Sequence, residues 1–169
     1  MIDGRKEELI RVGCSMLGGR VVDVLDLGCG DCTYGAVISR VCRVGRYVGV
    51  DAKPNCRGFE TVRADLQDNL VSLINGSFDV VLMLDVLEHL TNYGRALDNA
   101  RFLIKDGGLL LISTIGIPID GVKDAIERDP EHVHLFTPTL LRRALIRHGF
   151  QVLTYWQNHE LIYTIAKPT

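Results

Sequence analysis

The chain has 169 residues, 47% hydrophobic and 24% charged, which suits one globular domain with a real core and leaves no room for two. Its formal net charge of -2 supplies no whole-molecule attraction toward nucleic acid or an anionic membrane. No apolar stretch approaches the ~18 residues a membrane span needs. The opening MIDGRKEELIRVGC lacks the apolar core of a signal peptide, so the expectation is a cytoplasmic chain whose five cysteines are reduced.

Residues 5 to 17 carry Leu9, Ile10, Val12 and Leu17 at near-helical spacing and predict a leading helix. RVVDVLDL follows as a strand, then a helix from Thr33 to Cys42 with Ala36, Val37 and Val41 on one side. RYVGVD reads as a second strand ending in Asp51, and FETVRAD as a third ending in Asp65. SFDVVLMLD is nearly all apolar, as expected of a central parallel strand covered on both faces. Thr91 or Asn92 caps a helix with Ala96, Leu97, Ala100 and Leu103 inward, ended by Lys105-Asp106-Gly107-Gly108. GLLLIST is a fifth strand, and the polar loop IGIPIDGVKDAIERDPE carries a short helical piece. Thr137-Pro138 opens a last helix bearing Leu140, Leu141 and Leu145, which stops at Gly149. FQVLTYW and ELIYTIAK are adjacent strands, and the short Gln-Asn-His link makes them antiparallel. The sum is a single α/β domain over 1–169, an N-terminal helix in 1–19 and a core in 20–169. Its seven-stranded sheet is mostly parallel with an antiparallel edge hairpin and helices on both faces.

Ligands of open α/β sheets bind at the carboxyl ends of the strands. Asp26, Asp51, Asp65 and Asp85 fall at such ends, and that many carboxylates would repel a polyphosphate. The turn after the first strand, Gly28-Cys29-Gly30-Asp31-Cys32, is followed by Thr33 where a dinucleotide fingerprint wants glycine, and it lacks the Gly-Lys-Ser/Thr of a P-loop. A cationic ligand with a ribose fits better. Cys29 and Cys32 form one C-x-x-C without a second pair, a weak signal for zinc or for redox chemistry, and are read as small residues filling a tight turn.

These residues resemble the class I S-adenosylmethionine-dependent methyltransferases, which implies a Rossmann-like fold. LDLGCG (25–30), GVD (49–51), RADL (63–66) and FDVVLMLDVLEHL (78–90) match the family's four motifs in order. FLIKDGGLLLIST and HLFTPTLLRRALIRHGF resemble later elements of the branch that includes ubiquinone-biosynthesis O-methyltransferases. Cys32 stands where the first motif usually has another glycine. The resemblance implies that Gly28 and Gly30 let the backbone approach the methionine end of the cofactor, and that Asp26 orients its ammonium. Asp51 accepts the ribose hydroxyls and Asp65 the adenine amino group, while Ala52, Leu66 and Leu84 belong to the same cofactor set. The competing reading of each aspartate is a helix cap or solvated turn.

The methyl acceptor is less legible, because the donor is already activated and the enzyme mainly holds the partners in line. Leu84-Asp85-Val86-Leu87 replaces the Asn/Asp-Pro-Pro-aromatic motif of base and amide N-methyltransferases, so O-methylation of a small molecule or glycan is the expectation. Deprotonating a hydroxyl needs a base, and His134 and His132 are the candidates, with His134 preferred. Their structural alternative is to brace the loop. If helical, Asp85, Glu88 and His89 would share one face, and Glu88 and His89 are candidate ligands for a divalent ion, although no metal is the expectation. Metal-assisted 2'-O-methylation of RNA ribose is the same-class alternative, and Arg142, Arg143 and Arg147 on one helix are its modest footprint. A non-catalytic partner protein on this fold is the other. A small acceptor needs a cover, which the loop Ile115–Glu131 with the N-terminal helix, or a second subunit in a homodimer, would supply.

Overall fold

The computed structural model describes residues 3–117, 130–158 and 160–169. Apolar runs of strand length alternate with amphipathic stretches, and the chain forms the βα succession that this pattern dictates. Helix α1 spans Gly4–Met16 and is capped by Asp3, whose carboxylate accepts from the Arg5 amide. It leads to β1 (Val21–Leu27), α2 (Thr33–Val41), β2 (Arg43–Asp51) and β3 (Glu60–Arg63). Strand β4 (Phe78–Leu84), helix α3 (Tyr93–Leu103), strand β5 (Ile104–Ile115) and helix α4 (Pro138–Arg147) follow. The edge strands β6 (Phe150–Asn158) and β7 (Leu161–Pro168) close the sheet.

The strand order is β3-β2-β1-β4-β5-β7-β6. The first five strands are mutually parallel, while β7 runs antiparallel to both β5 and β6. Every residue of β4 is buried, as the unbroken apolar run requires of a strand covered on both faces. Leu9, Ile10, Val37 and Ile38 from α1 and α2 pack with Val24, Leu82 and Tyr163 on one face. Leu97, Leu103, Leu141 and Leu145 from α3 and α4 pack with Leu25, Met83 and Phe150 on the other. The chain builds outward from β1 to β3, then returns to β4, so the order reverses between β1 and β4. A crevice opens at their carboxyl ends.

Several expectations need correction. Strand β5 starts at Ile104 rather than Gly108, because α3 passes directly into extended backbone and Gly107 turns within the strand at φ 73°. Residues Leu87–His89 form one 3-10 turn, not an α-helix, so Asp85, Glu88 and His89 do not share a helical face. The four cysteines outside position 29 are paired, Cys14 with Cys42 and Cys32 with Cys56, against the expectation of reduced thiols. The pairing follows from packing: the ends of α1 and α2 lie together, with Cα–Cα 5.7 Å, and the loops after β1 and β2 meet at 5.3 Å. Residues 118–129 of the polar loop expected to carry a helical piece lie outside the described residues. No described helix is long and apolar enough to cross a membrane.

Candidate active site

At the switch point, Gly28, Asp51, Ala52, Asp65 and Leu66 line one cleft of about 330 Å³ with Gln67, Asp85, Val86, His89 and Leu90. The volume lies at the lower end of the range for small-molecule sites. Gly28 has φ 85°, and a Cβ there would collide with the Val86 side chain, so glycine is required twice over. Gly30, at φ 52°, has open space where a Cβ would stand, and its amide donates to Asp51 Oδ2 at 3.0 Å. The Lys53 amide donates to Asp51 Oδ1 at 2.8 Å. Both oxygens are thereby oriented, and each keeps a lone pair for a further donor.

Asp65 is held in the same manner, its Oδ1 accepting from the Gln67 amide at 2.8 Å. Asn99, buried on α3, fixes this segment: its amide donates to the Leu66 and Asp68 carbonyls, and its Oδ1 accepts from the Leu70 amide. Gln67 Oε1 in turn accepts from the Thr91 hydroxyl and the Asn92 amide. Neither Asn99 nor Gln67 stood out in the sequence, since single amides inside a helix or turn carry no spacing signal.

Three expected cofactor residues are not among those that line the cleft. Asp26 is buried and accepts from the Tyr47 hydroxyl at 2.6 Å. Burial pushes its carboxyl up to about 6, the Tyr47 bond opposing and the nearby Asp51 charge adding to the rise. Leu84 ends β4 as a buried core residue, and Gly30, half-buried, donates its amide to Asp51.

Asp85 follows β4 in the left-handed region, at φ 55°. Its Oδ1 accepts from the Ser113 hydroxyl at 2.7 Å, and its Oδ2 pairs with the Lys6 ammonium. Lys6 is buried and reaches across from α1, so the N-terminal helix is tied directly to the cleft. Burial works against its charge, but the hydrogen bond and charge of Asp85 outweigh this and raise its pKa. Lys6 lies one turn before Leu9 and Ile10, on the buried face of α1 with Gly13 and Cys14, and that position was the available signal.

The imidazole in the cleft wall is His89, whose Nδ1 lies 3.3 Å from the Glu131 carbonyl oxygen. The His132 ring stands 4.8 Å from it, centroid to centroid. His134 lies further along: its Nε2 is 3.4 Å from the Thr91 carbonyl oxygen, its ring meets Tyr93 edge-on, and it lines a neighbouring cavity. Glu88 is buried, its Oε2 accepting from the Thr114 hydroxyl at 2.7 Å and its backbone carbonyl from the Val133 and His134 amides. Burial, the largest influence, raises its pKa. Ligand atoms of Glu88, His89 and His132 nevertheless lie within 4.8 Å of one another, so the donor set suits a divalent ion in both distance and type.

Residues 5–155 match the family described as a methyltransferase domain. A ubiquinone biosynthesis O-methyltransferase of Maricaulis maris is 31% identical over 152 residues, covering 76% of this chain and 59% of that protein. The chain thus spans about three-fifths of the length of that relative. Among solved structures, an O-methyltransferase family protein from Burkholderia thailandensis superposes with a TM-score of 0.74 at 18% identity, over 98% of this chain and 56% of that one. The N-methyltransferase NodS of Bradyrhizobium japonicum, in complex with S-adenosylhomocysteine, gives 0.71 at 18% identity over 98% and 86%. With motifs, sheet order and cleft in agreement, the chain belongs to the class I S-adenosylmethionine-dependent methyltransferases, in the branch that includes the ubiquinone-biosynthesis O-methyltransferases.

Proposed function

We propose that the switch-point cleft binds S-adenosylmethionine and that the chain methylates an oxygen of a small molecule or glycan. The observation that carries this reading is the convergence of Gly28, Asp51, Ala52, Asp65 and Leu66 on one cleft. Bound there, the cofactor supplies a methyl already activated on a sulfonium. Asp51 accepts the two ribose hydroxyls with oxygens preset by Gly30 and Lys53, and Asp65 accepts the adenine amino group between Ala52 and Leu66. Gly28 admits the methionine portion close to the backbone. Asp26 acts from behind Gly28 and Gly30 as a buried negative charge that favours a cationic amino group, and Leu84 supports the wall.

Holding donor and acceptor in contact and in line supplies most of the rate. A hydroxyl acceptor must also lose its proton, and His89 backed by His132 is the pair beside the cleft able to take it. His134 serves better as a brace between Thr91 and Tyr93. The second reading, a metal-assisted transfer, rests on the convergence of Glu88, His89 and His132. Those residues would hold a divalent ion, which lowers the pKa of a coordinated hydroxyl. A second copy or partner chain would complete the acceptor cover.

A transfer assay with methyl-labelled cofactor decides among acceptors, using a panel of phenols, glycans, primary amines and a short RNA, each with chelator and with Mg²⁺ or Mn²⁺. Label on phenol or glycan oxygen supports the proposal, and label on amines alone overturns it. Label on the RNA, lost with chelator and with Glu88→Gln, establishes the metal-assisted reading.

A further inference from the structure

We propose that Cys29, Cys32 and Cys56 form a tri-thiolate site for a soft divalent ion of the zinc class, available when the Cys32–Cys56 bond is reduced. The sequence shows one C-x-x-C, and the fold brings a third sulfur to it from the loop after β2. The ligand atoms of the three cysteines lie within 4.8 Å of one another. Cys29 Sγ and Cys56 Sγ are 3.9 Å apart. Thiolates at roughly 2.3 Å from a tetrahedral zinc stand about 3.8 Å from each other, so this pair already has ligand spacing. Cys32, now bonded to Cys56, has to separate from it by roughly 2 Å, within reach of a side-chain rotation.

The surroundings suit such a site. Gly49, in the middle of β2, makes the space: a Cβ there would fall 2.7 Å from Cys29 Sγ and 3.3 Å from Cys32 Sγ. The Cys56 sulfur lies 3.6 Å from the Gly30 carbonyl oxygen, and the Asn55 amide donates to that same carbonyl at 2.8 Å, which fixes the loop over the sulfurs. Cys29 and Cys32 are buried while Cys56 is half-exposed, which leaves a fourth position on the solvent side for water.

The chemistry balances in two steps. A dithiol reductant gives two electrons to the Cys32–Cys56 bond, is itself oxidised to a disulfide, and passes its two protons to the freed sulfurs. The ion then displaces one proton from each of the three thiols into solvent.

Cadmium is the probe, because its thiolate bonds absorb in the ultraviolet in proportion to their number. The full-length chain is reduced with a phosphine, desalted under nitrogen and titrated with Cd²⁺ without cofactor, so the result is independent of the methyltransferase reading. The expected outcome is one tight ion per chain with the absorbance of three thiolates. Cys29→Ala and Cys56→Ala each remove one thiolate and weaken binding at least about tenfold, as loss of a direct ligand should, whereas Cys14→Ala leaves the site intact. Cys56→Ala lies in a half-exposed loop and guards against misfolding of the buried variant. Absence of the tight site, or a site unchanged by both variants, overturns the proposal.

Discussion

Asp26 illustrates how a single buried carboxylate trades stability against binding. The folded chain keeps its proton up to about pH 6, whereas the unfolded chain releases it near 3.8. Between these values the folded state binds more protons, so stability falls as pH rises. The difference is worth up to about 3 kcal/mol above pH 6. Asp26→Asn, which keeps an acceptor for Tyr47, is expected to be more stable than the parent at pH 8 by about 1–3 kcal/mol in urea unfolding and equal near pH 4. The same variant should bind S-adenosylhomocysteine more weakly and lose the rise in affinity as pH increases through 6. Unchanged stability at pH 8 would show that the carboxylate is not held against its preference. At this scale the sequence singled out Gly28, Asp51 and Asp65 at strand ends, and the structure gathers them on one cleft. It was silent on Asn99 and Gln67, whose roles depend on segments that meet only in three dimensions.

At the scale of elements, α1 is attached by an ion pair and by a disulfide, and neither was foreseen. Lys6→Met removes the partner of Asp85 at the cleft, and because Asp85 is partly solvated the cost is about 1–2 kcal/mol, below that of a fully buried pair. Hydrogen exchange should show faster opening of residues 4–16 in that variant. Undisturbed protection would mean that apolar packing alone holds the helix. The Cys14–Cys42 bond closes a sequence separation of 28, and its loss frees the unfolded chain by about 3–4 kcal/mol. Cys14→Ala is therefore expected to lower Tm by about 6–16 °C. A shift under about 2 °C would mean that the bond contributes little to the native balance. The strands and caps were legible because period and turn chemistry are local, as in β4 and at Thr137-Pro138. The 3-10 turn at Leu87–His89 was not, because Glu88 is drawn inward by Thr114 and the chain at Val133, far off in sequence.

For the whole molecule, strand order is the organising fact. Reversal between β1 and β4 places the loops after β1, β2, β3 and β4 around one crevice, and the chain's carboxylates collect there for that reason. The sequence exposed this architecture through the alternation of strands and helices and through four motifs in order. It could not expose the acceptor, since fold does not fix substrate. His89 lines the cleft while His134 and His148 line another cavity, and only tertiary placement separates them.

The cofactor cleft is the central claim, and calorimetric titration with S-adenosylhomocysteine tests it most directly, comparing the parent chain with Asp51→Ala. Saturable binding of one ligand per chain that falls at least tenfold, by about 1.4 kcal/mol or more, in Asp51→Ala is the expected result. Equal affinity in both proteins, or no binding by the parent with chelator and with Mg²⁺ alike, would contradict the placement of the cofactor in this cleft.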